Sequence, residues 1–196
     1  MICIVRHGAT EWSESGRHTG RTDVALIEEG QTQAKALAPL FAGRPFTRVL
    51  TSPRRRARET AALAGFPQAE VTDTLQEIDY GEYEGKTRAE IHQAFPGWEL
   101  FLHGAPGGES VADASLRARS LLAGLDRHGD YLLFSHGHFS RFVATAYLGA
   151  DPKWGRHLRL DPTGVAVLGE EGEIPSLLRW NDRHHLGIGL PRVRGS

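Results

Sequence analysis

Cysteine is almost absent from this sequence, which contains only Cys3. A single thiol excludes an intramolecular disulfide and a metal cage built from several cysteines. A basic excess is also missing, because 23 Lys and Arg stand against 24 Asp and Glu and give a net charge of −1. Nucleic-acid-binding proteins usually carry such an excess, so this balance argues against that class.

Long apolar runs are missing as well. The N-terminal run Ile2–Val5 ends at Arg6 and is too short for the core of a signal peptide, and no later run approaches a membrane span. We therefore expect a cytoplasmic protein. The 196 residues, 40% hydrophobic and 24% charged, predict one soluble globular domain over residues 1–196.

Short apolar segments that alternate with helical patterns dominate the chain. The predicted strands are Ile2–Val5, Arg48–Thr51, Val71–Thr72 and Tyr131–Phe134, with a hairpin of 164–168 and 174–178 around Glu171-Gly172. The predicted helices are 28–41, one that opens at Ser52-Pro53 and ends at Gly65, a short one after a Thr87–Glu90 capping box, 110–125 and 139–148. The stretch 8–23 is predicted as a loop. This alternation predicts an α/β fold, a three-layer α/β/α sandwich with a mostly parallel central sheet.

Reactive side chains follow three of the predicted strands. The strand ends continue into Arg6-His7-Gly8, Ser52-Pro-Arg-Arg-Arg56 and Ser135-His-Gly-His138, and carboxylates occur in Leu75–Gly85. Sites in such sheets form at the carboxyl ends of strands, so two imidazoles and an arginine cluster are expected to meet there. Guanidinium groups match phosphate oxygens, an imidazole can act as nucleophile and a carboxylate as proton donor. The combination suits phosphoryl transfer.

These motifs, in this order, resemble the histidine phosphatase superfamily in its phosphoglycerate-mutase-like group. The resemblance spans most of the chain. The matching blocks are Val5-Arg-His-Gly-Ala-Thr-Glu-Trp12, Thr19-Gly-Arg-Thr-Asp23, Thr51-Ser-Pro-Arg-Arg-Arg-Ala57 with Thr60-Ala61, Glu77-x-x-Tyr80-Gly81 with Glu84-Gly85, Gly107-Gly-Glu-Ser110 and Ser135-His-Gly137.

The resemblance implies a role for each matching position. His7 is similar to the nucleophile that becomes phosphorylated, and Glu77 to the residue that donates and accepts a proton. The phosphate clamp corresponds to Arg6, Arg56 and His136. Positions on the phosphate or substrate side are Ser13, Thr19, Gly20, Tyr80 and Gly137. The implied partner is a small phosphorylated metabolite, with no cofactor and no metal. The oligomeric state stays open, a homodimer included.

Ser13 departs from the family pattern, since many members have Asn there. A serine hydroxyl can still donate to a phosphate oxygen, but with less reach. The segment Trp12-Ser-x-Ser-Gly-x-x-Thr-Gly20 resembles the acid-phosphatase and sedoheptulose-bisphosphatase-like branches more than true mutases.

Several positions have competing interpretations. Asp79, Glu82 or Glu84 could be the acid in place of Glu77, and His138 could be a helix-terminal residue or a ligand contact. The arginines next to Arg56 are expected on a solvated helix face. His184-His185 is expected at the surface of an irregular tail.

Four functions compete on this sequence. The first is a metal-independent phosphomonoesterase, and the second is a mutase of the same fold. The third is a zinc module built on His136-x-His138 and His184-His185, which lacks the ligand spacing near His7. The fourth, a nucleic-acid binder, lacks interleaved aromatic residues. Residues 81–108 are predicted to cover the substrate, with Lys86 and Arg88 as their permanent cations.

Overall fold

A six-stranded mixed sheet forms the centre of the fold. The structure is a computed structural model that describes residues 1–187. The strand order is β3-β2-β4-β1-β5-β6. The strands β3, β2, β4 and β1 are mutually parallel, whereas β5 runs antiparallel to β1 and β6 to β5. Their bounds are β1 Ile2–Arg6, β2 Arg48–Thr51, β3 Glu70–Val71, β4 Tyr131–Ser135, β5 Val165–Glu171 and β6 Ile174–Asp182. The predicted mostly parallel sheet is confirmed.

Helices cover both faces of this sheet. Their bounds are α1 Glu11–Glu14, α2 Glu28–Lys35, α3 Ala38–Phe41, α4 Arg55–Leu63, α5 Arg88–Ala94, α6 Leu100–His103, α7 Val111–Ala123 and α8 Gly137–Tyr147. Alternate side chains of a strand point to opposite faces. Accordingly, Ile2 and Ile4 pack with α7 and α8, whereas Cys3 and Val5 pack with residues of α3 and α4. The result is the predicted three-layer α/β/α sandwich. No helix within residues 1–187 is long and apolar enough to cross a membrane.

The prediction of one helix over 28–41 was wrong. The segment forms α2 and α3, with turn geometry at Ala36 and Leu37 between them. Pro39 explains the interruption, because it has no N–H to donate to the carbonyl of Lys35 and its ring clashes with that turn.

Two other local predictions also fail. The helix expected to open at Ser52-Pro53 begins at Arg55. The Ser52 hydroxyl accepts from the Arg54 N–H at 3.3 Å and also bonds His136 after the neighbouring strand β4. The predicted loop 8–23 contains α1, whose start is fixed by a capping box between Thr10 and Ser13.

Residues 81–108 form ordered structure that packs onto the main core. They contain a 3₁₀ turn at Gly81–Tyr83 followed by α5 and α6, and the Thr87–Glu90 capping box is present as predicted. Trp98 is buried, and Phe101 stacks on Phe142 of α8 at a ring distance of 4.7 Å. This anchorage brings the segment next to the amino end of α8.

The turn that follows β1 is held by the close approach of two glycines. A Cβ on Gly30 of α2 would lie 2.1 Å from the Ala9 carbonyl oxygen, and one on Gly8 would lie 2.4 Å from the Gly30 carbonyl oxygen. The Ala9 N–H also donates to the Gln33 side chain at 3.1 Å. Helix α2 therefore fixes the backbone directly after His7.

Candidate active site

A cleft opens at the carboxyl ends of the parallel strands. Its inner part has a cavity volume of about 170 Å³. The residues that line it are Arg6, His7, Ser13, Gly16, Arg17, His18, Thr19, Glu77, Tyr80, Gly137, His138 and Arg141. An outer part of about 100 Å³ shares His18, His138 and Arg141 with it and adds Arg88, Trp98, Glu99, Leu100, Phe101 and Arg156. The cleft thus continues from the strand ends to residues 88–101.

His7 presents one ring nitrogen as a free nucleophile. It follows β1 directly, and its backbone N–H donates to the Ser135 carbonyl at 2.9 Å. Its Nδ1–H donates to the Gly8 carbonyl at 2.7 Å, which leaves the lone pair of the neutral ring on Nε2. Burial, then Arg56, then Arg6 lower the pKa of His7 well below its usual range. The ring is therefore neutral at neutral pH.

Arg56 lies behind the cleft and does not line it. It is fully buried on α4, and its two Nη atoms donate to the carbonyls of Thr22, Thr19 and Gly20 at 3.0, 2.8 and 3.2 Å. These bonds hold the 19–22 loop against the site. The solvent-exposed position predicted for the arginines next to Arg56 is confirmed for Arg55 and Arg58. Arg54 is instead half-buried and donates to the Gln76 side chain.

His136 also lies behind the cleft wall. It precedes α8, its ring centre is 5.3 Å from that of His7, and its Nε2 bonds the Ser52 hydroxyl at 2.8 Å. Burial, followed by Arg56 and His7, lowers the pKa of His136 well below its usual range. The residues that follow β1, β2 and β4 are thus in contact with one another. The hydrogen bond between Ser52 and His136 connects the ends of β2 and β4, and the contact between the His7 and His136 rings connects the ends of β1 and β4.

Arg6 reaches the cleft because Gly137 has no side chain. A Cβ on Gly137 would lie 3.3 Å from the Arg6 guanidinium carbon, which is tighter than most contacts allow. Arg6 donates through Nη1 to the Leu160 carbonyl at 2.6 Å. Its guanidinium is thereby fixed beside the amino end of α8.

Unpartnered buried donors concentrate around His7. Within residues 1–187, seven buried side-chain nitrogens have no hydrogen-bond partner, and four of them are Arg6 Nε, Arg56 Nε, His136 Nδ1 and Arg141 Nε. Leaving such groups without a partner costs free energy, and native structures keep few of them. Arg6 and Arg141 line the cleft, where an anion can accept from their guanidinium groups, whereas Arg56 and His136 lie behind its wall.

Glu77 is held at the amino end of α8. One carboxylate oxygen accepts from the Phe139 N–H at 2.8 Å, and the other accepts from the His138 N–H at 3.0 Å. Of the four carboxylates considered from sequence, only Glu77 lines the cleft. Asp79 pairs with Arg21 at 2.7 Å, and Glu84 accepts from the backbone of Gly20 and Thr22.

Tyr80 and His138 form a coupled pair in the cleft wall. The Tyr80 hydroxyl lies 2.5 Å from His138 Nδ1. Burial and Glu77 raise the pKa of Tyr80, and burial and Arg141 lower the pKa of His138. The tyrosine therefore donates and the neutral histidine accepts, which leaves the His138 proton on Nε2. The ring of His18 stacks on His138 at 6.0 Å.

The other positions expected to contact substrate do not all line the cleft. Thr19 lines the cleft, but Gly20 does not, and the Gly20 N–H already donates to Glu84. Ser13 lines the cleft, but its hydroxyl donates to the Thr10 carbonyl at 2.9 Å and accepts from the Thr10 N–H. Donation from Ser13 to a phosphate oxygen would require its bond to the Thr10 carbonyl to open.

Sequence analysis did not identify Arg17, His18 or Arg141 as cleft residues. Arg141 follows Gly137 by four positions, so it shares a face of α8 with the motif glycine, and this spacing is the signal that could have located it. Arg17 and His18 lie in the irregular segment after α1, where no periodicity indicates direction.

The residues proposed for a zinc module do not assemble. His136 and His138 belong to the cleft region, whereas His184 begins a 3₁₀ turn and is exposed, and the His185 Nε2 contacts the Thr163 hydroxyl at 3.2 Å. Among the described residues, no group of three or more His, Cys, Asp or Glu side chains is arranged to hold a metal ion.

Comparison with protein families gives a match over most of the chain. The model described as the histidine phosphatase superfamily (branch 1) matches residues 2–183.

Comparison with individual proteins gives relatives with several activities. An acid phosphatase of Mycobacterium tuberculosis is 40% identical over 90% of this chain and 89% of its own. A sedoheptulose 1,7-bisphosphatase of Saccharomyces cerevisiae is 32% identical over 74% and 66%, and a 2,3-bisphosphoglycerate-dependent phosphoglycerate mutase of Gloeobacter violaceus is 32% identical over 73% and 73%. A solved structure of a Mycobacterium tuberculosis open reading frame superimposes with a TM-score of 0.88 at 39% identity, covering 92% of this chain and 96% of that one.

The electrostatic setting of His7 is testable by NMR titration. We expect the His7 ring to titrate below the ordinary histidine value of about 6.5 and to carry its neutral proton on Nδ1, because burial and two guanidiniums disfavour the cation. Arg56→Met should move that pKa upward, since it removes one of the two cations. A His7 pKa at or above the ordinary value, or a proton on Nε2 in the neutral ring, would contradict this description.

Proposed function

Because the chain belongs to the histidine phosphatase superfamily and is a phosphoric monoester hydrolase, we propose that it acts without a metal, through a phosphohistidine intermediate at His7. The observation that carries this proposal is the buried, neutral His7, whose Nε2 is free beside unpartnered arginine donors. The expected substrates are small phosphomonoesters, and the names of the acid phosphatase and sugar bisphosphatase relatives support that class.

In the first step, His7 Nε2 attacks phosphorus and the bond from phosphorus to the ester oxygen breaks. Arg6, together with Arg56 and His136 behind it, stabilises charge on the phosphoryl oxygens, which is the main contribution a protein can make to this reaction. Glu77 gives its proton to the leaving oxygen, so that an alcohol departs.

In the second step, water attacks the phosphoryl group on His7 and gives a proton to Glu77. The phosphorus–nitrogen bond breaks, which releases inorganic phosphate and returns His7 to its neutral form. The lowered pKa of His7 keeps the nucleophile unprotonated at neutral pH.

A mutase reaction is the alternative, and one relative carries that name. A mutase must shield the phosphorylated histidine from water and hold a second phosphate while the intermediate reorients. Residues 81–108 supply Lys86 and Arg88 as permanent cations, both are exposed, and the Arg88 guanidinium lies 3.8 Å from Glu99. This cover is small, which favours access of water and hence hydrolysis.

The role of Glu77 is tested by leaving-group dependence. We expect Glu77→Gln to lower kcat/KM for alkyl phosphates by about 10²–10⁴-fold, the usual range for general acid catalysis. The loss should be smaller for p-nitrophenyl phosphate, whose leaving group needs little protonation. Asp79→Asn is the matched control and should change little, because Asp79 pairs with Arg21 outside the cleft lining. The reverse pattern would identify Asp79 as the acid.

The choice between hydrolase and mutase is tested by product analysis in the presence of EDTA. We expect negligible 2-phosphoglycerate from 3-phosphoglycerate, with or without 2,3-bisphosphoglycerate, and appreciable phosphate release from at least one sugar or aryl phosphate. Isomerisation faster than phosphate release on every substrate would establish the mutase. Activity lost to EDTA and restored by a metal ion would contradict metal independence.

A further inference from the structure

Arg141 is a cleft guanidinium that the proposed reaction does not use. Arg141 of α8 lines both the inner and the outer part of the cleft. Its Nε has no hydrogen-bond partner among the described residues, and no ion pair within residues 1–187 includes it. Burial and Arg6 lower the pKa of Arg141 to about 10, so it remains charged at neutral pH.

The other arginines of the cleft differ from Arg141 in having partners. Arg156 pairs with Glu99 at 2.7 Å, and Arg17 donates to the Gly85 carbonyl at 2.6 Å. A partly buried cation without an anionic partner is unfavourable in the free protein. Such a group is retained where a ligand supplies the missing charge, and guanidinium groups bind carboxylate and phosphate through paired hydrogen bonds.

Arg141 lies at the junction between the inner part of the cleft, which contains His7 and Arg6, and the outer part. Gly137, which adjoins the Arg6 guanidinium, and Arg141 are four residues apart on α8, so their backbones are about 6 Å apart along the helix. The Arg141 guanidinium lies 5.9 Å from the centre of the Phe101 ring, on the side formed by residues 88–101. The outer part of the cleft, which Arg141 also lines, includes neither His7 nor Glu77.

We propose that Arg141 forms a second anion subsite, so that the preferred substrates are phosphomonoesters that carry a further carboxylate or phosphate group. The proposal rests on the hydrolase function and narrows its substrate class. The phosphoryl group under attack lies at His7 and Arg6, and the second anion of the same molecule pairs with the Arg141 guanidinium. A phosphomonoester that carries no second charged group leaves the Arg141 guanidinium without an anionic partner.

Matched substrate pairs test the subsite in the unmodified protein. Glycerol 3-phosphate and 3-phosphoglycerate differ by one carboxylate, whereas fructose 6-phosphate and fructose 1,6-bisphosphate differ by one phosphate. We expect kcat/KM to favour the doubly anionic member of at least one pair by about 10- to 100-fold, the range for a hydrogen bond to a charged group. The pair that shows the preference identifies the second anion as carboxylate or phosphate. No preference in either pair would overturn the proposal.

Substitution then assigns the preference to Arg141. Arg141→Met should reduce the ratio of the two kcat/KM values to near one, and Arg141→Lys should retain part of it. Arg156→Met should reduce the ratio less, because its guanidinium already pairs with Glu99. The exposed Arg119→Met controls for loss of charge alone and should leave the ratio unchanged. An equal loss for both members in Arg141→Met would place Arg141 on the transferred phosphoryl group and overturn the subsite.

Thermal unfolding distinguishes this role from a structural one. Removal of an unpaired, partly buried charge should raise the Tm of Arg141→Met in the absence of ligand, whereas a structural role for the arginine predicts a lower Tm. The two proposals fail differently. If p-nitrophenyl phosphate is hydrolysed but neither substrate pair shows a preference for the second anion, only the subsite is contradicted. If no ester is hydrolysed, the proposed function itself is contradicted.

Discussion

Buried positive charge beside a neutral imidazole is the constraint on which this site depends. Arg6 at the end of β1 is half-buried and Arg56 on α4 is fully buried, which is costly unless their donors find acceptors. Backbone carbonyls of residues 19, 20, 22 and 160 meet part of that requirement. The donors that stay unpartnered favour an anion, and the same charges keep His7 unprotonated, so one electrostatic arrangement suits both the proposed phosphate binding and the proposed attack by His7.

The sheet topology explains why these charges can meet. Strands β1, β2 and β4 are neighbours and parallel, so the residues after each strand emerge at one edge. Helix α8 starts at that edge and uses its first N–H groups to hold the Glu77 carboxylate, while Gly137 makes room for Arg6. One helix terminus thereby positions Glu77, Arg6 and, one turn later, Arg141.

The sequence predicted the layers, the order of the strands along the chain and the residues at their ends, because short apolar runs and turn residues are local signals. Pro39 is also a local signal, but the apolar spacing of 28–41 continues through it and conceals the break. The bonds of Arg56 to three carbonyls and the particular residues of 88–101 that line the cleft could not be predicted. They depend on the packing of the 19–22 loop and of residues 88–101, which are distant in sequence and follow no period.

The most direct test of the account is detection of the phosphorylated enzyme. Wild-type protein quenched during turnover of a ³²P-labelled ester should carry acid-labile, base-stable phosphate, and peptide mapping should locate it on His7. His7→Ala should carry none and should not turn over, although its cleft should still bind vanadate through the remaining arginine donors. Full activity of His7→Ala, or phosphate attached to another residue, would contradict the central claim that His7 is the nucleophile.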